Sequence, residues 1–282
     1  LGLPEGEALV ASTGVIGVEL PWGPFETGIP ALVEALSKDG GHDAACAIMT
    51  TDTHPKEHAV RFVYDGNEYA VGGMVKGSGM IQPDMATMLA VITTDMPIAP
   101  SDARLALQTA VDVSFNKVTV DSDTSTNDSV FFFSSGMGAP VADADEATDV
   151  LAEALRVVCE DLARQIAADG EGATKLVTVF VRDSRDEADA DKAARTIANS
   201  PLVKTAIAGH DCNWGRIAAA LGRSGASFEQ HDVDIDIMGM PVLRAGLPCG
   251  FDEDEALRRF EDDEIVIEVS LGTGGGADTR VW

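Results

Sequence analysis

The sequence predicts a mixed α+β fold in which helices pack on layers of β-sheet. Two observations lead to this class. Short segments with alternating apolar residues, typical of half-buried strands, recur between longer segments with an apolar residue every third or fourth position, typical of helices. In addition, the 282 residues can bury a large core, and no repeat or low-complexity linker divides them. We therefore expect a single domain over residues 1–282.

Strands dominate the predictions for the first part of the chain. A short strand is predicted over residues 8–11, and a buried strand over residues 88–92. Alternating residues at 61–64 and 68–71 flank Asp65-Gly66-Asn67. Because an Asp-Gly pair is typical of tight hairpin turns, these two segments are expected to pair with each other.

The helices are predicted from their apolar stripes. The clearest one runs from Asp149 to Ala168, and its stripe consists of Leu151, Leu155, Val158, Leu162 and Ile166. An earlier helix is expected to begin with Ser101 as its capping residue and to bury Leu105, Ala106, Thr109, Val113 and Val118. Later helices are expected over 189–197 and, after Asn213, over 215–221, between strands at 176–181, 233–237 and 265–269.

The net charge of the chain is extreme. It is -27, from 47 acidic and 20 basic residues. Such a surface repels nucleic acid, which excludes the DNA-binding and RNA-binding classes. The acidic residues lie among good helix and strand patterns, and lysine is scarce among the basic ones. Salt at 1 M shortens the screening length to about 3 Å and so suppresses the repulsion between these acidic residues. We therefore expect a folded protein from a high-salt cytoplasm. The alternative is an ordinary acidic soluble surface.

The sequence shows no membrane span and no signal segment. No stretch of about 18 uncharged apolar residues occurs, and residues 1–5 lack the pattern of a signal peptide. The cysteines are widely spaced and fit neither a zinc motif nor a disulfide framework. We therefore expect a soluble cytoplasmic protein with reduced thiols, without a metal, and without a nucleotide cofactor.

The run from Lys76 to Ala90 contains a glycine-rich loop followed by Ala86 and Thr87. An internal threonine hydroxyl is a weak nucleophile, but a threonine at a new chain terminus carries its own base, the α-amine, whose ordinary pKa is about 7.7 to 8.0. Cleavage of the Ala86–Thr87 bond would therefore create a catalyst. The residues alone favour a plainer structure, a tight loop that leads into a buried strand with Thr87 at its start.

Further motifs accompany this run in a fixed order. Together with residues 76–89 they are Ser12–Gly17, Ile48–Thr53, Val120–Asn127, Gly170–Lys175, and Ala198–Ala206 continuing to Asn213–Ile217. These six segments resemble, in the same order, the ornithine acetyltransferases, which are the bifunctional glutamate N-acetyltransferases of arginine biosynthesis. The resemblance extends from near residue 8 to near residue 276.

The resemblance implies a fold, a processing step and a reaction. The fold is an αββα sandwich, in which two sheets pack face to face between helical layers. Self-cleavage between Ala86 and Thr87 would make residues 1–86 the end of an α chain and residues 87–282 the β chain of an α2β2 heterotetramer. Thr87 would then carry acetyl from N2-acetylornithine to glutamate. Some members also use acetyl-CoA as donor, and the sequence leaves this open.

The same motifs imply roles for individual residues. Thr13 and Gly14 would form the oxyanion hole, although by themselves they resemble a simple strand-to-turn pair. Substrate binding is implied for Thr50, Lys76, Thr87 and Glu171. Lysine can pair with a substrate carboxylate and glutamate with a substrate ammonium. Outside their motifs, Lys76 and Glu171 would be ordinary surface charges.

Two other functions remain possible at this stage. An N-terminal-nucleophile aminopeptidase or amidohydrolase on a similar sandwich would use water in place of glutamate, and an unprocessed, inactive fragment would act only as a subunit. The family usually has a substantial portion ahead of the Thr13-Gly14 motif and a short segment beyond Trp282 that ends in an asparagine and a threonine. We therefore expect residues 1–282 alone to be poorly soluble or at best weakly active.

Overall fold

The computed structural model describes residues 2–82 and 88–282 of the chain. The helices in these ranges are α1 Trp22–Glu34, α2 Gly41–Ala47, α3 Pro100–Asp112, α4 Ala144–Ala168, α5 Glu187–Ala198, α6 Pro201–Ala208, α7 Trp214–Gly222 and α8 Glu253–Arg259. The strands are β1 Lys56–Tyr64, β2 Asn67–Lys76, β3 Leu89–Thr94, β4 Ser129–Ser134, β5 Leu176–Ser184, β6 Asp234–Ile237, β7 Met240–Arg244, β8 Leu247–Pro248, β9 Glu264–Ser270 and β10 Ala277–Val281.

The first sheet has the strand order β1-β2-β3-β4. β1 and β2 form the predicted hairpin, with Tyr64 opposite Asn67, and both are longer than the sequence indicates. The turn residues Asp65 and Gly66 have φ of 47° and 72°. Positive φ at both central positions is the geometry of a type I′ turn, which favours the Asp-Gly pair found here.

The pairing of this sheet brings the two ends of the glycine-rich loop together. β2 is antiparallel to β3, and Lys76 at the end of β2 pairs with Leu89 at the start of β3. β3 runs parallel to β4, with Leu89 opposite Ser129. One edge of the sheet therefore carries the residues that flank the loop on both sides.

Helix α4 packs on β1 and β2. It begins earlier than the predicted Asp149, because the side chain of Asp143 accepts hydrogen bonds from the N–H groups of Asp145 and Glu146 and so caps the helix at that point. The predicted apolar stripe is confirmed, since all five of its residues are buried: Leu151, Leu155, Val158, Leu162 and Ile166.

The predicted face of helix α3 is wrong in part. Leu105 is 64% exposed and Val113 is 45% exposed, whereas Ala106 and Ala110 are buried. The two alanines belong to the same buried cluster as the apolar stripe of α4, which α3 contacts, and the larger residues remain outside. The predicted capping by Ser101 is also wrong, because α3 starts at Pro100, whose fixed φ suits the first helical position.

The second sheet has the order β10-β5-β9-β6-β7-β8. Its apolar residues and those of α5, α6 and α7 form one buried cluster. The predicted strands in this part of the chain are confirmed, and so is the start of α7 after Asn213, whose side chain accepts a hydrogen bond from the Arg216 N–H.

The mixed α+β class is therefore confirmed, with both sheets packed against helices. The strand predicted over residues 8–11 is absent. These residues are exposed, and within residues 2–82 and 88–282 no strand pairs with them, so nothing there stabilises an extended ladder. In the part of the chain that the structure describes, no helix is long and apolar enough to cross a membrane.

Candidate active site

The loop Gly77–Gly79, which follows β2, is the centre of the candidate site. The main-chain carbonyl of Ser78 accepts a hydrogen bond from the Glu171 N–H at 2.7 Å. The hydroxyls of Ser78 and Thr51 are 2.6 Å apart and share a hydrogen bond. This single residue therefore links two motifs that are far apart in the sequence, the one around Thr50 and the one around Glu171.

A buried ionic cluster joins the same segments. The ammonium group of Lys56 is fully buried and donates hydrogen bonds to Asp52 Oδ1 at 2.6 Å and to Asp169 Oδ2 at 2.5 Å. Asp52 also accepts hydrogen bonds from the main-chain N–H groups of Thr50 and Gly77, at 3.1 and 2.7 Å. The cluster therefore fixes the backbone at the predicted substrate residue Thr50 and at the start of the glycine loop.

Both carboxylates of this cluster have a lowered pKa. Burial acts to raise the pKa of Asp52, but hydrogen bonds from Lys56 and from main-chain N–H groups outweigh it. Burial also acts to raise the pKa of Asp169, and hydrogen bonds from Lys56 and Thr53 outweigh it. The two groups therefore stay ionised at neutral pH. Asp169 lies two residues before Glu171, so the cluster also anchors the start of that motif.

Lys76 is a buried cation near two carboxylates. It is the last residue of β2, and only 1% of its surface is exposed. Burial lowers the pKa of its ammonium group, while the charges of Asp52 and Asp128 act to raise it. An ammonium with little water around it pairs more strongly with the carboxylate of a ligand than one on the surface does.

Asp128 precedes β4 and contacts Met88, the first residue of the described range 88–282. Its Oδ1 accepts a hydrogen bond from the Met88 N–H at 2.7 Å. Its Oδ2 is buried and has no hydrogen-bond partner among the described residues. Burial raises the pKa of the carboxyl group to about 6, although the Met88 hydrogen bond and the charge of Lys76 both act to lower it. This carboxyl group is therefore a titratable group in the pH range where enzymes work.

The predicted oxyanion-hole residues lie in an irregular segment. Asn127 Nδ2 donates a hydrogen bond to the carbonyl of Ser12 at 3.0 Å. Thr13 is half-buried, and its Oγ1 is one of the buried polar atoms without a partner within the described ranges. Gly14 is exposed. The Asn127 contact therefore links the segment of Thr13 and Gly14 to the start of β4. This is the end of the sheet at which Lys76 and Leu89 also lie.

Glu171 and Thr50 are both exposed, so that a bound molecule can reach them. The carboxyl group of Glu171 lies against Gly79, where an added Cβ would be 2.6 Å from its Cδ. Glycine at position 79 therefore leaves the space that this carboxyl group occupies. A cavity of about 330 Å³ opens beside Glu171, and Lys175 and Lys204 are among the residues that line it.

Ala86 and Thr87, the predicted cleavage site and nucleophile, lie outside the described residues. The residue after them, Met88, is buried and is bound through its N–H by Asp128. Met88 precedes Leu89, the sheet partner of Lys76. Met88 is therefore the first described residue after the predicted cleavage site in the sequence, and Asp128 holds its N–H.

A comparison with known families gives a match to the ArgJ family over residues 1–282. The chain belongs to the ArgJ family. It is 49% identical to an arginine biosynthesis bifunctional protein ArgJ from Symbiobacterium thermophilum, over 94% of this chain and 66% of that protein. It is 47% identical to the ArgJ protein of Chlorobaculum tepidum, over 99% of this chain and 69% of that protein. The chain thus spans about two thirds of the length of these curated ArgJ relatives.

A solved ArgJ structure is also similar to this chain. The crystal structure of the arginine biosynthesis bifunctional protein ArgJ from Bacillus halodurans matches with a TM-score of 0.64 and 40% identity. The match covers 67% of this chain and 90% of that one. The fold of an experimentally determined ArgJ protein therefore agrees with the two-sheet architecture described above.

Membership of the ArgJ family does not by itself reveal all residues that hold the site together. The sequence motifs do not point to Lys56, Asp169 or Asp128. Asp128 directly follows the segment 120–127 and could have been included from its position alone. Lysine is almost never fully buried unless it is paired. One partner of Lys56, Asp52, is only four residues away, but the burial of the pair depends on Asp169, which is 113 residues away.

Proposed function

We propose that this chain transfers the acetyl group of N2-acetylornithine to glutamate through an acetyl-Thr87 intermediate, as a step of arginine biosynthesis. The observation that carries the proposal is the convergence of separated motifs on the loop Gly77–Gly79. The buried cation of Lys76 precedes this loop, and the carboxyl group of Glu171 lies against its last glycine. The names of the curated relatives and of the similar crystal structure support the pathway.

The charges of the site suit an amino-acid substrate. N2-acetylornithine carries a carboxylate and a side-chain ammonium. Lys76 would bind the carboxylate and Glu171 the ammonium, each through charge-assisted hydrogen bonds. The hydroxyl of Thr50 would add a neutral hydrogen bond, and its backbone is already held by Asp52 at 3.1 Å. Glutamate presents its own carboxylates to the same lysine.

The chemistry would proceed in two transfers. After cleavage of the Ala86–Thr87 bond, the Thr87 α-amine takes the proton of the Thr87 hydroxyl, and the oxygen attacks the acetyl carbonyl. Thr13 and Gly14 stabilise the oxyanion, a contribution for which one donor is typically worth about 2.7 to 4 kcal/mol. The C–N bond breaks, the proton passes to the ornithine nitrogen, and the acetyl group remains as an ester of Thr87. The neutral amine of glutamate then attacks this ester, the bond between the acetyl carbon and Thr87 Oγ breaks, and the proton released from the glutamate nitrogen passes through the Thr87 α-amine to Thr87 Oγ, so that N-acetylglutamate leaves and the hydroxyl is restored.

The proposal includes the organisation of the mature protein. Residues 1–282 form a single domain, which cleavage divides into residues 1–86 and residues 87–282, and the resulting chains assemble as an α2β2 heterotetramer in the cytoplasm. The net charge of -27 supports a high-salt cytoplasm. Acetyl-CoA is a candidate second donor, as the resemblance to the ornithine acetyltransferases implies.

Initial-rate kinetics test the reaction. Turnover of acetylornithine should depend on glutamate, and double-reciprocal plots should be parallel, since a covalent acetyl-enzyme forms before the acceptor reacts. Equal consumption with and without glutamate would instead indicate an amidohydrolase that uses water. Intersecting lines, with no acetylated protein, would indicate direct transfer and contradict the Thr87 intermediate.

A matched pair of variants tests the site assignment. Glu171→Gln keeps the shape of the side chain and removes its charge, so it should raise the KM for acetylornithine about tenfold or more, in line with the loss of one charged hydrogen bond. Glu187→Gln makes the same change at an exposed position in the first turn of α5, far from the loop in sequence, and should leave KM unchanged. Equal KM values in both variants would remove Glu171 from the substrate site.

A further inference from the structure

Charged residues of both signs line the cavity beside Glu171. Among the described residues that surround this space of about 330 Å³, Glu171 supplies a carboxylate, and Lys175 and Lys204 supply ammonium groups. Much of the remaining wall consists of small or apolar side chains, such as those of Val120 and Val203. A molecule in this cavity could therefore bind through a cationic group, through an anionic group, or through both.

The two lysines differ in how far their ammonium groups are already occupied. Lys175 Nζ donates hydrogen bonds to the main-chain carbonyls of Glu261 and Asp262, at 3.0 and 2.8 Å. Lys204 Nζ donates to one main-chain carbonyl, that of Val120, at 2.5 Å. An ammonium group has three N–H donors. Within the described part of the chain, Lys204 thus retains two donors for a ligand, and Lys175 retains one.

Contacts between neighbouring segments hold Lys204 close to the motif of Glu171. Val120, whose carbonyl binds the Lys204 ammonium, donates its own N–H to the carbonyl of Ile81 at 2.7 Å. The side chain of Val120 packs against Gly170, where an added Cβ would be 3.0 Å from Val120 Cγ1. Gly170 directly precedes Glu171 in the sequence. The cation and the carboxylate therefore reach the same cavity from segments that touch.

The surroundings of Lys204 leave its charge available to a ligand. Part of the side chain is exposed, so a small molecule can reach it. Burial of the rest lowers the pKa of the ammonium group, and the charge of Asp121 acts to raise it. Both oxygens of Asp121 already accept main-chain hydrogen bonds, from the N–H groups of Met80 and Ile81, at 2.5 and 3.0 Å. A partly shielded ammonium pairs more strongly with the carboxylate of a ligand than a fully hydrated one does.

The two amino acids of the proposed reaction carry opposite charges at the ends of their side chains. The side chain of ornithine ends in an ammonium group, and that of glutamate ends in a carboxylate. Each also has a carboxylate next to the nitrogen that loses or gains the acetyl group, and Lys76 would bind that one. Glu171 suits the ammonium of ornithine but repels the second carboxylate of glutamate. The acceptor therefore requires a cation in the same cavity.

We propose that Lys204 determines the specificity for the acceptor: its ammonium group binds the side-chain carboxylate of glutamate in the cavity that it shares with Glu171. This inference rests on the proposed function and deepens it. The side chain of ornithine is held by Glu171 during the first transfer, and that of glutamate by Lys204 during the second. Lys204 forms no covalent bond and moves no proton in either transfer.

The test compares Lys204→Gln with Lys192→Gln in the full chain. Lys192 is the matched control, because its ammonium group on α5 is partly exposed and already pairs with Asp189 at 2.9 Å. Both variants remove one positive charge, so a weaker general attraction of glutamate to this acidic protein would appear in both. Initial rates give kcat/KM for acetylornithine, which reports the first transfer, and kcat/KM for glutamate, which reports the second.

The expected result is a loss for one substrate alone. Lys204→Gln should lower kcat/KM for glutamate about tenfold or more, in line with the loss of one charged hydrogen bond, and should leave kcat/KM for acetylornithine unchanged. Lys192→Gln should leave both values unchanged. A merely structural role of Lys204 would lower both values together. An unchanged value for glutamate in folded Lys204→Gln, or an equal loss for both substrates, would overturn the inference.

Intact mass of the wild-type protein distinguishes failure of this inference from failure of the proposed function. A wild-type protein that gains no acetyl group from acetylornithine would contradict the proposed function, and this inference with it. A wild-type protein that gains the acetyl group, together with an unchanged value for glutamate in Lys204→Gln, would contradict only the role of Lys204.

Inhibition of the wild-type protein covers the case in which the variant does not fold. Glutarate has both carboxylates of glutamate but no amine, so it cannot accept acetyl and should compete with glutamate. The monoamide of glutarate has the same length and only one carboxylate. It should bind at least about tenfold more weakly, because it lacks the second charged contact. Equal inhibition constants for the two compounds would overturn the inference.

Discussion

Replacing Lys56 with methionine should strongly destabilise the protein. Methionine keeps the apolar stem of the lysine but removes the ammonium group that donates to Asp52 at 2.6 Å and to Asp169 at 2.5 Å. The side chains of Lys56 and Asp52 are 0% exposed and that of Asp169 is 4% exposed. Two carboxylates would therefore be left buried without their cation.

The magnitude follows from these contacts. Each hydrogen bond to a charged group contributes roughly 1.5 to 3 kcal/mol. Removing one partner of a buried ion pair costs roughly 3 to 5 kcal/mol, because the other charge stays buried. The two figures agree, so Lys56→Met should lower the free energy of unfolding by about 3 to 5 kcal/mol at pH 7.

Arg61→Met in the same strand is the matched control. Arg61 pairs with Glu68 at 2.9 Å, but these side chains are 77% and 61% exposed. Loss of such a surface pair should cost less than about 1 kcal/mol. Urea unfolding of the three proteins, followed by circular dichroism, measures the difference. A Lys56→Met protein that loses no more stability than Arg61→Met would refute the idea that the cluster holds the site together.

The remaining predictions concern pH, the glycine loop and salt. In a Thr87→Ala background, where no new amine forms, the folded protein should lose stability with rising pH because the pKa of Asp128 is raised: the contribution is complete below the ordinary carboxyl pKa of 3.8 and is lost as the pH rises through about 6. Adding Asp128→Asn should remove this pH-dependent loss in the free energy of unfolding, measured with urea at pH 4 to 7. The same pH dependence with and without Asp128→Asn would contradict the prediction. Gly79→Ala places a Cβ 2.6 Å from Glu171 Cδ, so the flexible carboxyl group of Glu171 should shift. The KM for acetylornithine should rise, while the melting temperature should change little. An unchanged KM would show that Glu171 does not bind substrate. Because the protein has a net charge of -27, repulsion between its acidic residues should weaken as KCl is added. Its melting temperature should therefore keep rising well beyond about 0.15 M KCl, where the screening length is already about 8 Å. A melting temperature that does not change with salt would contradict an origin in a high-salt cytoplasm.

Local patterns in the sequence predict the elements of this fold well. The stripe of α4 and the Asp65-Gly66 turn follow directly from helical periodicity and from turn chemistry. The start of α4 is harder to predict from the sequence, because its first turns contain small or acidic residues that add little to the apolar pattern. The order of the second sheet depends on which distant strands pair, and no local pattern contains that information.

The site shows the same division between local and distant information. Lys76 and Glu171 could be selected from motifs, and the structure brings both to the glycine loop. Their support could not be selected in this way. Lys56 is held by Asp169, and Met88 by Asp128, across 113 and 40 residues respectively. Such contacts depend on the tertiary fold, and a lysine or aspartate in the sequence gives no sign of being buried.

Intact mass spectrometry of the purified protein tests the central claim most directly. The account predicts two polypeptides without added protease, the second beginning at Thr87, and a gain of one acetyl group on that second chain after incubation with acetylornithine alone. Thr87→Ala should remain a single chain without activity. A wild-type chain that stays whole and still transfers acetyl groups at full rate would contradict the account.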